Sequence, residues 1–156
     1  MANILWLDDD RVSLIPFKVA LEKAGHVVCC ATTPYEAEQM LSNPTIVLTP
    51  GVSWNMIIID VMMCIGDSFP NSRYTLENTE NGTKAGFVFF QVNKNRLRMS
   101  NVKVVVLTMR TDRKLFAEFA SAGLPADRIK DKMEVADTAR FVRWINDVLE
   151  TPHGNT

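Results

Sequence analysis

The sequence has little of what marks nucleic-acid-binding or fibrous proteins. Its 17 Lys and Arg residues are balanced by 18 Asp and Glu residues, which gives a net charge of −1, and it contains no basic run. Without such a run to neutralise phosphates, nucleic acid is not an expected partner. Glycine and proline number only 7 each, too few for a collagen-like or low-complexity chain. What is left is a globular composition, with 47% hydrophobic and 22% charged residues.

Cysteine is scarce as well. The three cysteines are Cys29, Cys30 and Cys64, an odd number without metal-site spacing. Adjacent Cys29 and Cys30 would point to opposite faces of a strand, where they are poorly placed to bridge one another. We therefore expect reduced thiols and a cytoplasmic protein.

Hydrophobic runs suited to a membrane are missing. The longest uncharged stretch, residues 39–59, contains Pro44, Pro50 and Gly51 and so cannot form one spanning helix. The first residues have no basic flank, so we expect no signal peptide and no membrane partner. At 156 residues we expect a single domain over residues 1–150 and a short tail at 151–156, without room for a second effector domain.

Short apolar runs alternate with amphipathic stretches along the chain. The apolar runs predict five strands, near residues 4–7, 27–31, 56–59, 102–107 and 128–130. Helical spacing predicts a helix after each strand, with Ser13 as the first N-cap and Pro16 in the first turn. Thr33 and Asp112 are the expected N-caps of the second and fourth helices. This alternation predicts a doubly wound α/β fold, a five-stranded parallel sheet with helices on both faces.

A long polar loop at residues 64–85 interrupts the pattern. It contains Gly66, Pro70, Gly82 and several asparagines, and it is longer than a compact domain usually tolerates. The loop directly follows the third strand. It therefore either shields a site or contacts a partner there, or it is a disordered surface insertion; the sequence leaves both open.

Polar residues stand at the ends of four predicted strands. They are Asp8 and Asp9 after the first, Asp60 after the third, Thr108 at the end of the fourth, and Lys132 after the fifth. In open parallel sheets, ligands bind outside the carboxyl ends of the strands. Each residue alone is a common cap or turn residue, and we interpret Asp10 as a helix cap. Together they predict one site that contains three carboxylates, a hydroxyl and an ammonium.

These groups suit one kind of chemistry. Clustered carboxylates favour a bound cation, and Mg²⁺ is the hard cation that carboxylate oxygens suit. A carboxylate beside it can attack a phosphoryl donor and form an aspartyl phosphate. Lys132 and Thr108 would stabilise the added charge. The set lacks a histidine or another evident general base, so we expect no enzyme beyond self-phosphorylation and slow autodephosphorylation.

Over residues 4–149 the sequence resembles the receiver domain of two-component response regulators, in its stand-alone form. The resemblance implies Asp60 as the phosphoacceptor, Thr108 as the switch hydroxyl and Lys132 as the family lysine. It implies Mg²⁺ held by four groups: Asp8, Asp9, Asp60 and the main-chain carbonyl of Met62. It also implies a histidine kinase or phosphotransfer protein as donor and an output protein that the sequence does not name, and it leaves homodimer formation open.

The sequence departs from this family at several positions. Cys64 and Met133 stand where prolines are usual, and Met109 stands where a small residue is common. Ile129 occupies the place at which many receivers have an aromatic switch residue. Because Ile129 has no ring to swing inward, we expect a signal to pass through residues 64–85 and 109–112 instead.

Two other functions stay open. Asp8 and Asp10 after a strand, with residues 104–108, also resemble the first two motifs of haloacid-dehalogenase-type phosphohydrolases, with Asp8 as the nucleophile. That assignment leaves Asp60 unexplained and needs an acidic strand motif beyond Lys132, where only a helix is predicted. The other alternative is a degenerate receiver that acts as a constitutive binding module, although all five family positions are filled.

Overall fold

Five parallel strands form one sheet in the computed structural model of the chain, in the order β2-β1-β3-β4-β5. The structure describes residues 1–66, 73–110 and 112–152. The strands are β1 (Asn3–Leu7), β2 (Val27–Ala31), β3 (Met56–Ile59), β4 (Lys103–Thr108) and β5 (Ile129–Asp131). The helices are α1 (Arg11–Lys23), α2 (Pro34–Ser42), α3 (Ala85–Met99), α4 (Arg113–Ser121) and α5 (Thr138–Glu150). The predicted doubly wound α/β fold is confirmed.

The sheet separates two hydrophobic cores. Because successive residues of a strand point to opposite faces, β1 places Leu5 and Leu7 in one core and Ile4 and Trp6 in the other. The first core is closed by α2, α3 and α4, and the second by α1 and α5. Every residue of β3 is buried, as in a central strand that is covered on both faces.

Helix α1 begins earlier than predicted. The Asp10 carboxylate accepts the Ser13 N–H at 3.2 Å, so Asp10 is the N-cap and the predicted cap at Ser13 is wrong. Pro16 therefore lies inside the helix instead of in its first turn, and it offers no N–H to the preceding turn. The interpretation of Asp10 as a cap is confirmed, as are the predicted N-caps Thr33 and Asp112.

Residues 73–84, which we call the docked segment, lie against the body of the protein. Tyr74 is buried, with its ring centroid 6.2 Å from that of Phe89. Its hydroxyl donates to the carboxylate of Glu38 at 3.0 Å and accepts from the Asn93 amide at 3.1 Å. The alternative of a disordered insertion is therefore wrong for residues 73–84. Residues 67–72 of the predicted loop lie outside the described residues.

The start of β4 is fastened to the end of α5. The Lys103 ammonium donates to the carbonyls of Val148 at 2.9 Å and Leu149 at 2.6 Å. The last carbonyls of a helix have no partner within the helix, and a cation suits the negative end of the helix dipole. Lys103 therefore closes the C-terminus of α5.

The structure bears on the expected reduced thiols and on the expected lack of a membrane-spanning helix. Cys29, Cys30 and Cys64 are free thiols. Across the described ranges, no helix combines the length and the apolar character needed to cross a bilayer. Residues 153–156 of the predicted tail lie outside the described residues.

Candidate functional site

The backbone brings the predicted polar residues to one rim of the sheet. Asp8 directly follows β1, Asp60 follows β3, Thr108 ends β4, and Lys132 follows β5. The Asp60 N–H donates to the Leu7 carbonyl at 2.8 Å, and the Lys132 N–H donates to the Thr108 carbonyl at 3.0 Å. These bonds continue the strand ladders past the strand ends, so strand pairing itself places the four side chains together.

Lys132 joins the two most buried carboxylates of the rim. Its ammonium donates to Asp8 Oδ2 at 2.7 Å and to Asp60 Oδ2 at 2.8 Å. Two carboxylates that share one site repel each other unless a cation lies between them. Burial by itself would lower the pKa of Lys132, but the charges and hydrogen bonds of Asp60 and Asp8 outweigh it and raise that pKa. The ammonium is therefore the resting counter-ion of the site.

Main-chain N–H groups hold the remaining oxygens of both carboxylates. Asp8 Oδ1 accepts the Asp10 N–H at 3.0 Å. Asp60 Oδ1 accepts the Val61 N–H at 2.6 Å and the Met62 N–H at 3.3 Å. Because each carboxylate is held through both of its oxygens, its orientation is fixed before any ligand binds.

Asp8 ionises only at a cost in folding free energy. Burial raises the pKa of Asp8 from 3.8 to about 6; the Lys132 hydrogen bond opposes this rise and the charge of Asp60 adds to it. Asp8 has no solvent exposure at all. The folded protein is therefore less stable at pH 7 than it would be with an uncharged side chain at this position.

Asp8→Asn is expected to stabilise the protein at neutral pH by about 1–3 kcal/mol. As pH rises from about 4 to 6, the unfolded chain loses the Asp8 proton while the folded chain keeps it, so wild-type stability falls over this window. Urea unfolding at about pH 4 and pH 7.5 measures the difference in free energy of unfolding between variant and wild type. This difference should widen as pH rises.

Asp10→Asn is the matched control for this change. The hydrogen bonds from Ser13 lower the pKa of Asp10, so its charge stabilises the folded state and its loss should act in the opposite direction. An Asp8→Asn gap that stays constant with pH would show that burial of this charge carries no cost.

The Asp9 carboxylate bonds to a different group from the Lys132 ammonium that joins Asp8 and Asp60. Its Oδ2 accepts the N–H of Cys64 at 2.8 Å, and its carboxylate raises the pKa of the Cys64 thiol. Among the described residues, no three His, Cys, Asp or Glu side chains are grouped so as to hold a metal ion. The structure thus brings Asp8, Asp60, Thr108 and Lys132 together and leaves Asp9 beside them.

Thr108 is buried and is linked to the docked segment through Arg110, a residue that sequence analysis missed. Thr108 Oγ1 accepts the Arg110 N–H at 3.1 Å. The Arg110 guanidinium donates to the Thr83 carbonyl at 2.8 Å and to the Asp112 carboxylate at 2.6 Å. Residues 108–110, which we call the Thr108 loop, are therefore in direct contact with the docked segment.

Two glycines that sequence analysis also missed allow close packing around Asp60. A Cβ atom on Gly86 would lie 1.9 Å from the carbonyl oxygen of Asp60, and one on Gly82 would lie 2.5 Å from that of Met63. The Gly86 N–H donates to the Val61 carbonyl at 3.0 Å, and the Met63 N–H donates to the Gly82 carbonyl at 3.2 Å. Glycine inside a helix costs stability, so a glycine there indicates that the backbone approaches a neighbour closely. Gly86 within α3 was therefore the sequence signal for this packing.

Ile129 is a core residue in this structure. It opens β5, pairs with Val106 of β4 and is 7% exposed. Its side chain belongs to the same core as Phe119. The structure gives Ile129 a packing role, and the predicted route of the signal through residues 64–85 and 109–112 stays a prediction, in which residues 67–72 and 111 lie outside the described residues.

Solved structures share this architecture. No family model matches the sequence, and no curated protein matches it. A response regulator from Thermotoga maritima matches with 17% identity and a TM-score of 0.68, covering 97% of this chain and 99% of that one. A CheY-like response regulator receiver domain protein from Methanospirillum hungatei JF-1 matches with 19% identity and a TM-score of 0.67, covering 96% and 94%. The non-phosphorylated HemR receiver domain from Leptospira biflexa matches with 15% identity and a TM-score of 0.67, covering both chains completely (100% and 100%).

The sheet order and the four side chains at its rim define a doubly wound α/β protein with its polar site at the carboxyl ends of the strands. The particular fold is that of the response regulator receiver domains, over nearly the whole chain. The predicted resemblance is confirmed at the level of the fold. The matches establish the architecture, and the function has to be argued from the site.

Proposed function

We propose that the chain is a phosphorylation-dependent signalling receiver that accepts a phosphoryl group on Asp60. The observation that carries this proposal is the shared ammonium, since Lys132 lies 2.7 Å from Asp8 and 2.8 Å from Asp60 at the strand-end rim. The Asp60 side chain keeps 7% of its exposure, whereas Asp8 has 0%. A nucleophile must be reached by its donor, so the exposure favours Asp60.

The reaction is the transfer of a phosphoryl group to a carboxylate. An oxygen of Asp60 forms a bond to phosphorus, the bond between phosphorus and the donor breaks, and the donor leaves with that electron pair. Lys132 neutralises charge on the phosphoryl oxygens, and the Thr108 hydroxyl can donate to one of them. A phosphohistidine on a histidine kinase or phosphotransfer protein is the proposed donor. A separate output protein then senses the changed surface.

Mg²⁺ is the proposed cofactor, and the chemistry of the donor set fits it. Asp8 and Asp60 present hard oxygens that already share a cation, and within the described ranges no main-chain N–H donates to the Met62 carbonyl. These three groups and Asp9 would hold the ion, once Asp9 releases the Cys64 N–H. Bound Mg²⁺ would neutralise the carboxylates and the incoming phosphoryl group.

Asp9→Ala is expected to weaken Mg²⁺ binding about tenfold or more, whereas Asp10→Ala should change it less than about twofold. The difference arises because the Asp10 carboxylate is committed to capping α1 through the Ser13 N–H. Titration calorimetry with MgCl₂ measures both variants. Equal losses would contradict the assignment of Asp9 to the metal.

Mass spectrometry after incubation with acetyl phosphate and Mg²⁺ tests the proposed function. We expect a single phosphoryl adduct on Asp60. An adduct on Asp8 would indicate the phosphohydrolase, although Asp10 is engaged as a cap and no strand follows β5 in the described chain. No adduct from acetyl phosphate or from a phosphohistidine donor would indicate the constitutive binding module.

Slow hydrolysis of the adduct is part of the proposal. The histidine that the structure describes, His26, lies beside Asn146 at 2.9 Å, next to the start of β2 and at the opposite end of the sheet from Asp60. It cannot act as a base at the rim. The adduct should therefore persist as a signal, with any fast hydrolysis supplied by a partner.

A further inference from the structure

We propose that Arg110 is a positioning residue that holds the Thr108 loop in its resting place by tying it to the docked segment. The inference rests on the proposed function, because it concerns how Thr108 reaches a phosphoryl group on Asp60. It adds a residue that the resemblance did not supply, and it gives residues 73–84 a role.

Arg110 makes both of the contacts that such a role requires. Its main-chain N–H donates to Thr108 Oγ1 at 3.1 Å, so it occupies an acceptor position of the switch hydroxyl. Its guanidinium donates to the Thr83 carbonyl at 2.8 Å, and Asp112 fixes the guanidinium from the other side at 2.6 Å. The Arg110 side chain is 25% exposed, so water competes only in part for these bonds.

The docked segment is a firm anchor for this contact. At one end, buried Tyr74 is hydrogen-bonded to Glu38 of α2 and to Asn93 of α3. At the other end, the Lys84 ammonium pairs with Glu80 at 2.9 Å and with Glu118 of α4 at 3.3 Å. The Thr83 carbonyl therefore belongs to a segment that three helices hold in place.

Movement of Thr108 toward a phosphoryl group on Asp60 would disturb these bonds. Either its hydroxyl leaves the Arg110 N–H, or the loop moves toward Asp60 and pulls the guanidinium away from Thr83. Both changes cost hydrogen bonds that the resting arrangement has. Loss of the Arg110 side chain removes part of this cost, so the equilibrium should move toward the active arrangement.

The affinity for beryllofluoride in the presence of Mg²⁺ tests the proposal, because this anion is a phosphoryl mimic that needs no donor. We expect Arg110→Ala to bind it about threefold to tenfold more tightly than the wild type, as the loss of a partly exposed charged hydrogen bond implies. Arg110→Lys should lie between the two. Arg113→Ala is the matched control, since Arg113 is an exposed arginine at the start of α4 and should leave affinity unchanged.

Thermal unfolding separates this role from a merely structural one. Arg110→Ala should melt at a lower temperature and yet bind beryllofluoride more tightly, whereas simple damage to the fold would lower both. Glu118→Gln, which weakens the hold of α4 on Lys84, should tighten binding in the same direction by a smaller factor. It also keeps the proposal testable if Arg110→Ala fails to fold.

The two proposals fail in different ways. A folded wild type that binds no beryllofluoride with Mg²⁺ would overturn the proposed function, and the role of Arg110 with it. A wild type that binds the mimic, together with Arg110→Ala and Glu118→Gln variants that bind it no more tightly, would overturn the role of Arg110 alone.

Discussion

Asp60→Asn is expected to reduce phosphorylation by acetyl phosphate to background. The amide nitrogen and oxygen of asparagine cannot replace a carboxylate as nucleophile, and the neighbouring Asp8 is fully buried and bonded through both oxygens. Intact-mass measurement over a time course, with and without Mg²⁺, gives the result directly. Asp131→Asn is a suitable control, because Asp131 ends β5 next to Lys132 and its carboxylate accepts the main-chain N–H of Met133.

The same variant should stay folded. Asp60→Asn leaves Lys132 paired with Asp8, and it removes a negative charge that contributes to the raised pKa of Asp8. Circular dichroism and urea unfolding check this point, so that loss of the adduct is not mistaken for loss of the fold. An adduct that survives on a folded Asp60→Asn protein would place the acceptor elsewhere.

Gly86→Ala is expected to destabilise the protein by about 3 kcal/mol or more. Helix propensity alone predicts the opposite, a gain of about 1 kcal/mol for alanine over glycine inside a helix. Close packing decides the sign here, because the new Cβ would lie 1.9 Å from the Asp60 carbonyl oxygen and 2.8 Å from Ile59 Cγ2. Helix α3 would have to move away from the rim, so phosphorylation should fall together with stability. Denaturant unfolding and the acetyl phosphate assay measure the two effects.

Gly25→Ala is the control for this variant. Gly25 has a φ of +89° and no neighbour within 4 Å of the new Cβ, so alanine there brings only backbone strain of about 1–2 kcal/mol, far from Asp60. Its phosphorylation should be unchanged. If Gly86→Ala were as stable as the wild type, the packing of α3 against the Asp60 loop would not be tight.

The fold could be predicted because its strands are apolar runs, and most of the site because its residues directly follow those strands. The apolar runs of β1, β3 and β4 are near-continuous, and a parallel sheet forces the residues that follow them to one rim. Asp8, Asp60, Thr108 and Lys132 needed no further information. The identity of these residues and their place at the strand ends were both readable from the chain.

The remaining features depend on contacts that leave no local pattern. Tyr74 lies in a polar stretch typical of a loop, and its contacts with Glu38, Phe89 and Asn93 on two helices show why it is buried. The carboxylate of Asp9 is held by the main-chain N–H of residue 64, which any residue except proline would offer. The cap of α1 was misplaced because Ser13 and Asp10 are both good caps, and tertiary context chose between them.

Strand β4 is held at its start by contacts outside the sheet. Lys103, at the start of the strand, donates to carbonyls at the C-terminus of α5, and Thr108 is the last residue of the strand. In the sheet, β4 lies between β3 and β5. Sliding β4 along its axis would break the hydrogen bonds to β3 and β5 and the bonds from Lys103 to α5 at the same time. The strand is therefore fixed along its axis. Movement of Thr108 is therefore expected in the loop that follows it, while the pairing of β4 with β3 and β5 stays in register.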